Sequence, residues 1–170
     1  RLWLGASGVG SVGVLPAVGG GLALRAAYSP GSVLVLGLEL NLERGGSVRA
    51  GGGEVGFDFA GGGTFAGLEA LHTAGLDLVP LVSARAGVVR TSPEGFAVDA
   101  DDLRPTAFAG AGVLVRMSLA PRLSVEMLPQ AEVALVREGF HVRHAGALYA
   151  LHRMSFVSGR VSLGLSYEFR

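Results

Sequence analysis

The chain has 170 residues and a formal net charge of zero, with 49% hydrophobic and only 16% charged residues. No apolar run approaches the roughly 18 residues that mark a transmembrane helix, and the 28 glycines disfavour helices in general, since an interior Gly costs about 1 kcal/mol. The absence of Cys excludes a disulfide framework and a thiolate metal site. No basic tail or stripe indicates a nucleic-acid partner.

Alternation of apolar and polar residues with a period of two, which is typical of β-strands, runs through most of the chain. We predict eight strands, at residues 1–10, 19–28, 32–43, 64–72, 76–91, 106–118, 122–136 and 157–169. The third is the clearest, because its even positions form a leucine row whereas its odd positions become small and acidic. The leucines are Leu34, Leu36, Leu38 and Leu40, followed by Leu42.

The last strand repeats the pattern, with Val161, Leu163 and Leu165 on one face and serines on the other. Two other strands carry irregularities. Pro129 lies on the apolar face of the seventh, where a bulge would accommodate it because Pro cannot donate to a ladder. Phe108 interrupts the polar face of the sixth.

The connections between these strands alternate in length. Three are short, at 29–31, 73–75 and 120–121; four are longer, at about 11–18, 44–63, 92–105 and 137–155. Short turns at one end and long loops at the other are typical of transmembrane β-barrels. We therefore predict an all-β, closed, antiparallel up-and-down transmembrane barrel of about eight strands, with short periplasmic turns and long extracellular loops. A strand-like segment at 54–59 makes a count of ten strands the alternative.

The closing run, Leu-Gly-Leu-Ser-Tyr-Glu-Phe-Arg at 163–170, adds a further signal. Together with the strand count and the turn–loop order, it makes the chain resemble the small outer-membrane barrels OmpA, OmpX and OmpW. That resemblance implies a place in the bacterial outer membrane, contact with the lipid bilayer and folding by the barrel-assembly machinery. In this class an aromatic residue, usually the final one, is read by that machinery; here Phe169 is next to last.

Charged residues of both signs fall on the face opposite the aliphatic rows. They are Arg25, Glu39, Glu69, Asp77, Arg85, Arg116, Glu126, Glu132, Arg160 and Glu168. An eight-stranded barrel is only wide enough for side chains to fill it, and buried charges must pair. The sequence thus predicts a lumen network of salt bridges, with a narrow polar conduit as the alternative; a wide pore would need about 16 strands.

The opposite faces predict the outer surface of the barrel. The residues expected to face lipid are Leu34, Leu36, Leu38, Leu40, Val161, Leu163 and Leu165. Tyr28, Tyr167 and Phe169 fall near the short-turn end, where aromatic residues favour the membrane interface; ordinary packing is the alternative. Trp3 lies near the same end but has the opposite parity to Leu2.

Several polar groups resemble sites but lack the partners that a site would need. His141 and His144 have helix-like metal spacing in the last loop without enough carboxylates to complete a site. His152 and Ser155 suggest a lipid-modifying hydrolase, with only Glu138 to orient the base. We predict no catalytic residues, no metal site and no cofactor.

Two further features are predicted to be loops. The triple-glycine runs at 19–21, 51–53 and 61–63 lack the following helix of a phosphate loop and are interpreted as loops and strand junctions. The acidic residues Glu94, Asp99, Asp101 and Asp102 fit no EF-hand spacing and are interpreted as a solvated loop rather than a Ca²⁺ site.

The preferred hypothesis is a non-enzymatic outer-membrane barrel, 1–170 as one domain, with a structural, anchoring or surface-interaction role through its long loops. The alternatives are a narrow passive channel for small solutes or hydrophobic ligands, and a soluble lipocalin-like barrel in which the apolar faces would line a cavity. The chain begins at Arg1 without Met, so we expect a fragment without its signal peptide, with an upstream region left open.

Overall fold

The computed structural model describes residues 1–31, 33–50, 52–73, 75–95, 102–137, 139–144 and 147–169. Twelve strands occur in these ranges. They are β1 (Leu2–Val12), β2 (Val18–Tyr28), β3 (Leu34–Arg44), β4 (Val48–Ala50), β5 (Gly53–Leu68), β6 (Leu71–His72), β7 (Leu76–Glu94), β8 (Asp102–Ala120), β9 (Leu123–Val136), β10 (Gly139–His144), β11 (Ala147–Arg153) and β12 (Val157–Phe169). No helix in the described ranges has the length and apolar character needed to cross a membrane.

Eight of these strands form a closed antiparallel barrel in the order β1-β2-β3-β5-β7-β8-β9-β12. The β1–β12 ladder closes it, running without a shift from Leu2 opposite Phe169 to Val12 opposite Gly159. Sequential strands are neighbours throughout, which is the up-and-down arrangement. The predicted eight-stranded barrel is confirmed. Of the four remaining strands, β4 and β6 add short pairings to β5 and β7, and β10 and β11 form a separate hairpin.

The two ends of the barrel differ. The connections 29–33, 69–75 and 121–122 share one end with Arg1 and Phe169, and we name it the short-turn end. At the other end, the loop end, the chain passes from β1 to β2, from β3 to β5, from β7 to β8 and from β9 to β12. The hairpin β10–β11 lies within the last of these, and β4 pairs with β5 in the second.

The loop end contains more strand than the sequence predicted. β5 has 16 residues and β7 and β8 have 19 each, whereas about 9–11 residues cross a bilayer. These hairpins therefore extend beyond the length of a spanning segment, and residues 53–63 of the region predicted as a loop at 44–63 belong to β5. The first loop-end connection, 13–17, is as short as a turn.

The glycine run at 61–63 lies inside β5, which differs from the prediction of a loop or strand junction, whereas the run at 19–21 lies near the start of β2, within the strand predicted there. The reason is crowding. A Cβ on Gly61 would lie 2.6 Å from the carbonyl oxygen of Ala86 and 2.6 Å from the ring of Phe59. A Cβ on Gly63 would lie 2.6 Å from the carbonyl oxygen of Ala84. Glycine leaves room here for large neighbouring side chains in a narrow lumen.

Pro129 is accommodated without a bulge. It lies opposite Val161 in a β9–β12 ladder whose register is unbroken. The register shifts of the β8–β9 ladder lie elsewhere, at Ala107/Phe108 and at Ser118/Ala120. Pro129 is exposed on the outer face, and the ladder tolerates its missing N–H.

The parity of the strands separates two chemically different surfaces. The outward rows are aliphatic: Leu38 and Leu40 are 62% and 66% exposed, and Leu163 is 60% exposed. The inward rows contain the buried arginines and glutamates. A lipocalin-like barrel would have the reverse arrangement, so the structure does not support that alternative.

Candidate functional site

The candidate site is the lumen, where charged side chains lie between two apolar clusters. Along β7, the inward residues run from Val79 and Leu81, near the short-turn end, through Arg85 to Val89 near the loop end. The lower cluster contains Trp3, Ala27, Val35, Phe65, Val79, Leu81, Leu114 and Leu128. The upper cluster contains Val14, Leu15, Val55, Phe57, Phe59, Val89, Phe108, Ala134, Phe140 and Met154.

Arg25 on β2 joins two carboxylates. Its Nη2 lies 2.6 Å from Glu39 Oε2 and its Nη1 lies 3.2 Å from Glu126 Oε2. The register places Arg25 directly opposite Glu39 on β3, so this pair is a cross-strand neighbour whereas Glu126 reaches it from the other side of the barrel. Ser162 Oγ accepts a further hydrogen bond from Nη2 at 3.1 Å.

Arg160 on β12 joins the two glutamates of β3. Its Nη1 lies 2.6 Å from Glu39 Oε1, and its Nε lies 3.4 Å from Glu43 Oε1. Gln130 Oε1 accepts a hydrogen bond from Nη1 at 3.1 Å. The side chain of Arg160 is 1% exposed, so its charge depends on these partners for compensation.

Arg85 on β7 extends the network toward β9. Its Nη1 lies 3.0 Å from Glu43 Oε1 and its Nη2 lies 2.6 Å from Glu132 Oε2. The guanidinium carbon lies 4.7 Å from the ring centres of both Phe59 and Phe108. These distances are within the range of cation–π attraction, so the two rings hold Arg85 while its nitrogens bind the carboxylates.

Arg116 on β8 continues the network toward the short-turn end. Its nitrogens lie 3.4 Å from Glu126, 3.6 Å from Asp77 and 3.6 Å from Glu168. The ring of Trp3 lies 4.3 Å from its guanidinium carbon. Trp3 is therefore an inward residue, 1% exposed, and not part of an outer aromatic belt.

The four arginines form one continuous network in which cations and anions alternate. It runs from Glu132 through Arg85, Glu43, Arg160, Glu39, Arg25 and Glu126 to Arg116. The cavity beside it has a volume of about 20 Å³, close to the space occupied by a single water. Within the described residues, side chains fill the lumen.

The structure brings together nine of the ten residues predicted for the lumen: all except Glu69 lie on this network or bind Arg116 at its end. Glu69 lies in the connection after β5, where its Oε2 binds Arg1 at 2.5 Å. Sequence reasoning missed Glu43, which binds Ser11 Oγ at 2.5 Å and Asn41 Nδ2 at 2.7 Å. Its odd position on the third strand gave the necessary signal.

The residues predicted to face lipid lie on the outside of the barrel. All seven are exposed: Leu34, Leu36, Leu38, Leu40, Val161, Leu163 and Leu165. Tyr28 and Phe169 lie on the outer face at the short-turn end, each opposite Leu2. Tyr167 makes an edge-to-face contact with Phe169 at 5.1 Å.

Some of the residues considered above as a hydrolase or a metal site make other contacts, some are simply exposed, and the rest lie outside the described residues. His152 Nε2 lies 3.0 Å from the carbonyl oxygen of Val14, and its ring stacks on Phe140. Ser155 is exposed. His141 is exposed, whereas Glu138, the side chain of His144, Asp99 and Asp101 lie outside the described residues.

Local pairs order the polar loop end. Asp102 binds Arg104 at 2.7 Å. Glu54 accepts hydrogen bonds from Ser47 Oγ and from Arg49 Nε, and these hydrogen bonds lower the pKa of Glu54. Charges of both signs are thus paired at this end among the described residues.

Comparison with solved structures identifies the architecture. A major outer membrane protein from Thermus thermophilus superposes with a TM-score of 0.69 at 12% identity, over 99% of this chain and 100% of that one. The chain has the fold of the small eight-stranded outer-membrane barrels. Neisserial surface protein A is similar with a TM-score of 0.60 at 13% identity, over 99% and 96% of the two chains.

The attachment invasion locus protein Ail of Yersinia pestis shares this barrel fold. It has a TM-score of 0.58 at 13% identity, over 99% of this chain and 96% of that one, and it has also been solved with the heparin analogue sucrose octasulfate. No protein-family model and no curated protein sequence matches the chain. At these identities the likeness concerns the barrel fold alone.

Proposed function

We propose that this chain is a bacterial outer-membrane barrel that anchors in the lipid bilayer by its outer wall and has a non-enzymatic structural or surface-interaction role. The observation that supports the proposal is that apolar and charged side chains are distributed in the opposite way to those of a soluble protein. Large aliphatic side chains cover the outside, while paired arginines and glutamates fill the inside. A contiguous exposed apolar surface of this kind needs a partner, and acyl chains suit it along its whole circumference.

The dimensions of the apolar surface support a bilayer as that partner. On β3 the exposed leucine row runs from Leu34 to Leu42, which is close to the roughly 9–11 residues of a spanning strand. The closed ladder pairs the backbone groups of the wall, as the hydrocarbon region requires. Tyr28, Tyr167 and Phe169 then lie at one lipid–water interface, on the periplasmic side if the short turns face inward as in this class.

The filled lumen favours a structural plug over a conduit. The cavity beside the network has a volume of only about 20 Å³, room for about one water, and apolar clusters lie toward both ends of the barrel among the described residues. We expect purified protein in planar bilayers to give no discrete conductance steps. Reproducible steps that change in ion selectivity on Arg85→Gln would favour the channel alternative instead.

Two partners besides lipid follow from this proposal. The barrel-assembly machinery would read β12, which ends with Tyr167 and Phe169 on its outer face. A surface partner would bind at the loop end, as the polar rim and the β10–β11 hairpin lie beyond the apolar band. The loop charges of this chain have both signs, so they single out no ligand class.

The decisive experiment is membrane fractionation combined with heat-modifiable gel mobility. We expect the protein in the outer-membrane fraction, soluble only with detergent, and faster in gels before boiling than after because the closed barrel resists unfolding. A chain lacking β12 is the control, and it should show no mobility shift. Recovery of the intact chain as a soluble monomer without detergent would refute the proposal.

A further inference from the structure

Three potential metal ligands meet at the short-turn end, next to Arg116, where the central network ends. Glu69 follows β5, His72 ends β6 and Asp77 lies near the start of β7. The β6–β7 register places His72 opposite Asp77. Nδ1 of His72 lies 2.6 Å from Asp77 Oδ1 and 2.9 Å from Glu69 Oε1.

One oxygen of this group has no hydrogen-bond donor among the described residues. The side chain of Glu69 is 3% exposed, and its Oε1 is buried without a hydrogen-bond partner. His72 Nδ1 carries at most one proton, so it can donate to only one of the two carboxylates, and its shorter contact, 2.6 Å, is to Asp77. Leaving a buried carboxylate oxygen without a hydrogen-bond donor is costly. A cation that coordinates several oxygens at once would satisfy this site better than a single proton.

The other oxygens of both carboxylates are held from outside. Arg1 Nη2 lies 2.5 Å from Glu69 Oε2, and Arg116 Nη1 lies 3.6 Å from Asp77 Oδ2. Arginines behind the carboxylates leave Oε1 and Oδ1 directed at His72. Outer groups of this kind orient the ligands of a metal.

We propose that Glu69, His72 and Asp77 bind a divalent transition-metal ion such as Zn²⁺, through Oε1, Nδ1 and Oδ1. One imidazole nitrogen and two carboxylate oxygens form a borderline-to-hard ligand set that suits Zn²⁺. Their donor atoms lie within 4.8 Å of one another. The metal replaces the single Nδ1 proton and bonds to both carboxylates, including the oxygen of Glu69 that lacks a donor.

The site can adopt the required geometry by a small movement. Bonds of about 2.0 Å at tetrahedral angles place donor atoms about 3.3 Å apart, so both contacts of Nδ1 must lengthen by several tenths of an ångström. The side chain of His72 is 62% exposed and has room to move. A polar pocket of about 230 Å³ opens beside it and gives water access to a fourth position; its lining includes His72, Asp77, two serines, Arg1, Arg116 and Arg122.

The test is calorimetric titration of ZnCl₂ into tag-free protein refolded in detergent, because a histidine tag would itself bind zinc. We expect saturable binding of one ion per chain in the parent protein. His72→Ala should abolish it, and Arg1→Gln, which removes only an orienting contact, should weaken it by about 10–100-fold. His141→Ala is the matched control at the loop end and should bind as the parent does.

Heat-modifiable mobility checks that each variant is folded. Glu69→Gln keeps the shape of the side chain and removes its charge, so it should lose binding even if His72→Ala proves unstable. Absence of saturable Zn²⁺ binding by the folded parent would overturn the proposal. Binding that survives both His72→Ala and Glu69→Gln, or that is lost in His141→Ala, would overturn it as well.

Discussion

Arg85 shows at the residue scale how the lumen holds a charge. Two carboxylates bind its nitrogens while Phe59 and Phe108 cover its faces. The Arg85 side chain is thus enclosed, with 4% exposure, and the two carboxylates depend on it in turn. Buried pairs of this kind stabilise weakly as a whole but strongly resist the loss of one partner.

We therefore expect Arg85→Met to lower the free energy of unfolding by about 3–5 kcal/mol, because it leaves Glu43 and Glu132 short of a cation. Urea titration of the protein in lipid vesicles measures the change. Arg44→Met is the control, since the Arg44 side chain is 83% exposed, and it should change stability by no more than about 0.5 kcal/mol. Equal losses in the two variants would mean that the network contributes nothing specific.

The terminal aromatic residues can be tested at the same scale. Phe169→Ala should reduce the fraction of newly made protein that reaches the heat-modifiable form in cells, while leaving refolding into detergent nearly unchanged. The expected reason is that the assembly machinery reads the aromatic end of β12, whereas packing on the outer face is weak. Phe156→Ala, which removes another exposed ring at the opposite end, should fold normally; an equal defect there would argue against recognition.

At the scale of the element, glycine sets how closely two strands can approach. A Cβ on Gly164 of β12 would lie 2.1 Å from the carbonyl oxygen of Ala6, whereas one on Gly8 of β1 would have its nearest neighbour at 3.9 Å. We expect Gly164→Ala to destabilise the barrel by about 1–3 kcal/mol through overpacking, and Gly8→Ala to be neutral or stabilising. Thermal unfolding in detergent distinguishes them, and similar melting temperatures would contradict the argument.

The strand order and the facing of most strands could be predicted because period-two alternation depends only on local sequence. β12 begins and ends where the alternation predicted, at Val157–Phe169. The start of β5 could not be predicted, since the run at 61–63 reads as a turn until the aromatic ring and backbone that crowd it are known. Parity also left Trp3 ambiguous, and only its contact with Arg116 explains why an indole points inward.

The sequence predicts which charged residues face the lumen, but not which of them pair with one another. Alternation assigns Arg25 and Glu39 to the same face, and register alone would pair them. The contact between Arg25 and Glu126 crosses the lumen, so it depends on the curvature of the closed sheet. The contact of Glu69 and Asp77 with His72 was also not predicted, because it too depends on the fold. The β6–β7 turn brings these residues together although their spacing in the sequence fits no metal-binding motif.

For the whole molecule, the outer wall makes a depth-dependent prediction. Leu38→Arg places a charge near the middle of the apolar band and should cost about 2–4 kcal/mol of folding stability in a bilayer. Val18→Arg places it at the loop-end rim of β2 and should cost about 0–1 kcal/mol. Urea titration in vesicles measures both, and equal costs, or no cost at Leu38, would exclude a bilayer around this wall.

The ionic network crosses the line where the barrel closes. Arg160 comes from β12, at the closing seam, and its carboxylate partners Glu39 and Glu43 come from β3, three strands away around the ring. In a chain that has formed every hairpin but has not joined β1 to β12, Glu39 keeps Arg25 and Glu43 keeps Arg85, but both lack their second cation, Arg160. The lumen chemistry therefore disfavours half-assembled forms electrostatically, because closing the cylinder supplies the remaining positive charge to both glutamates.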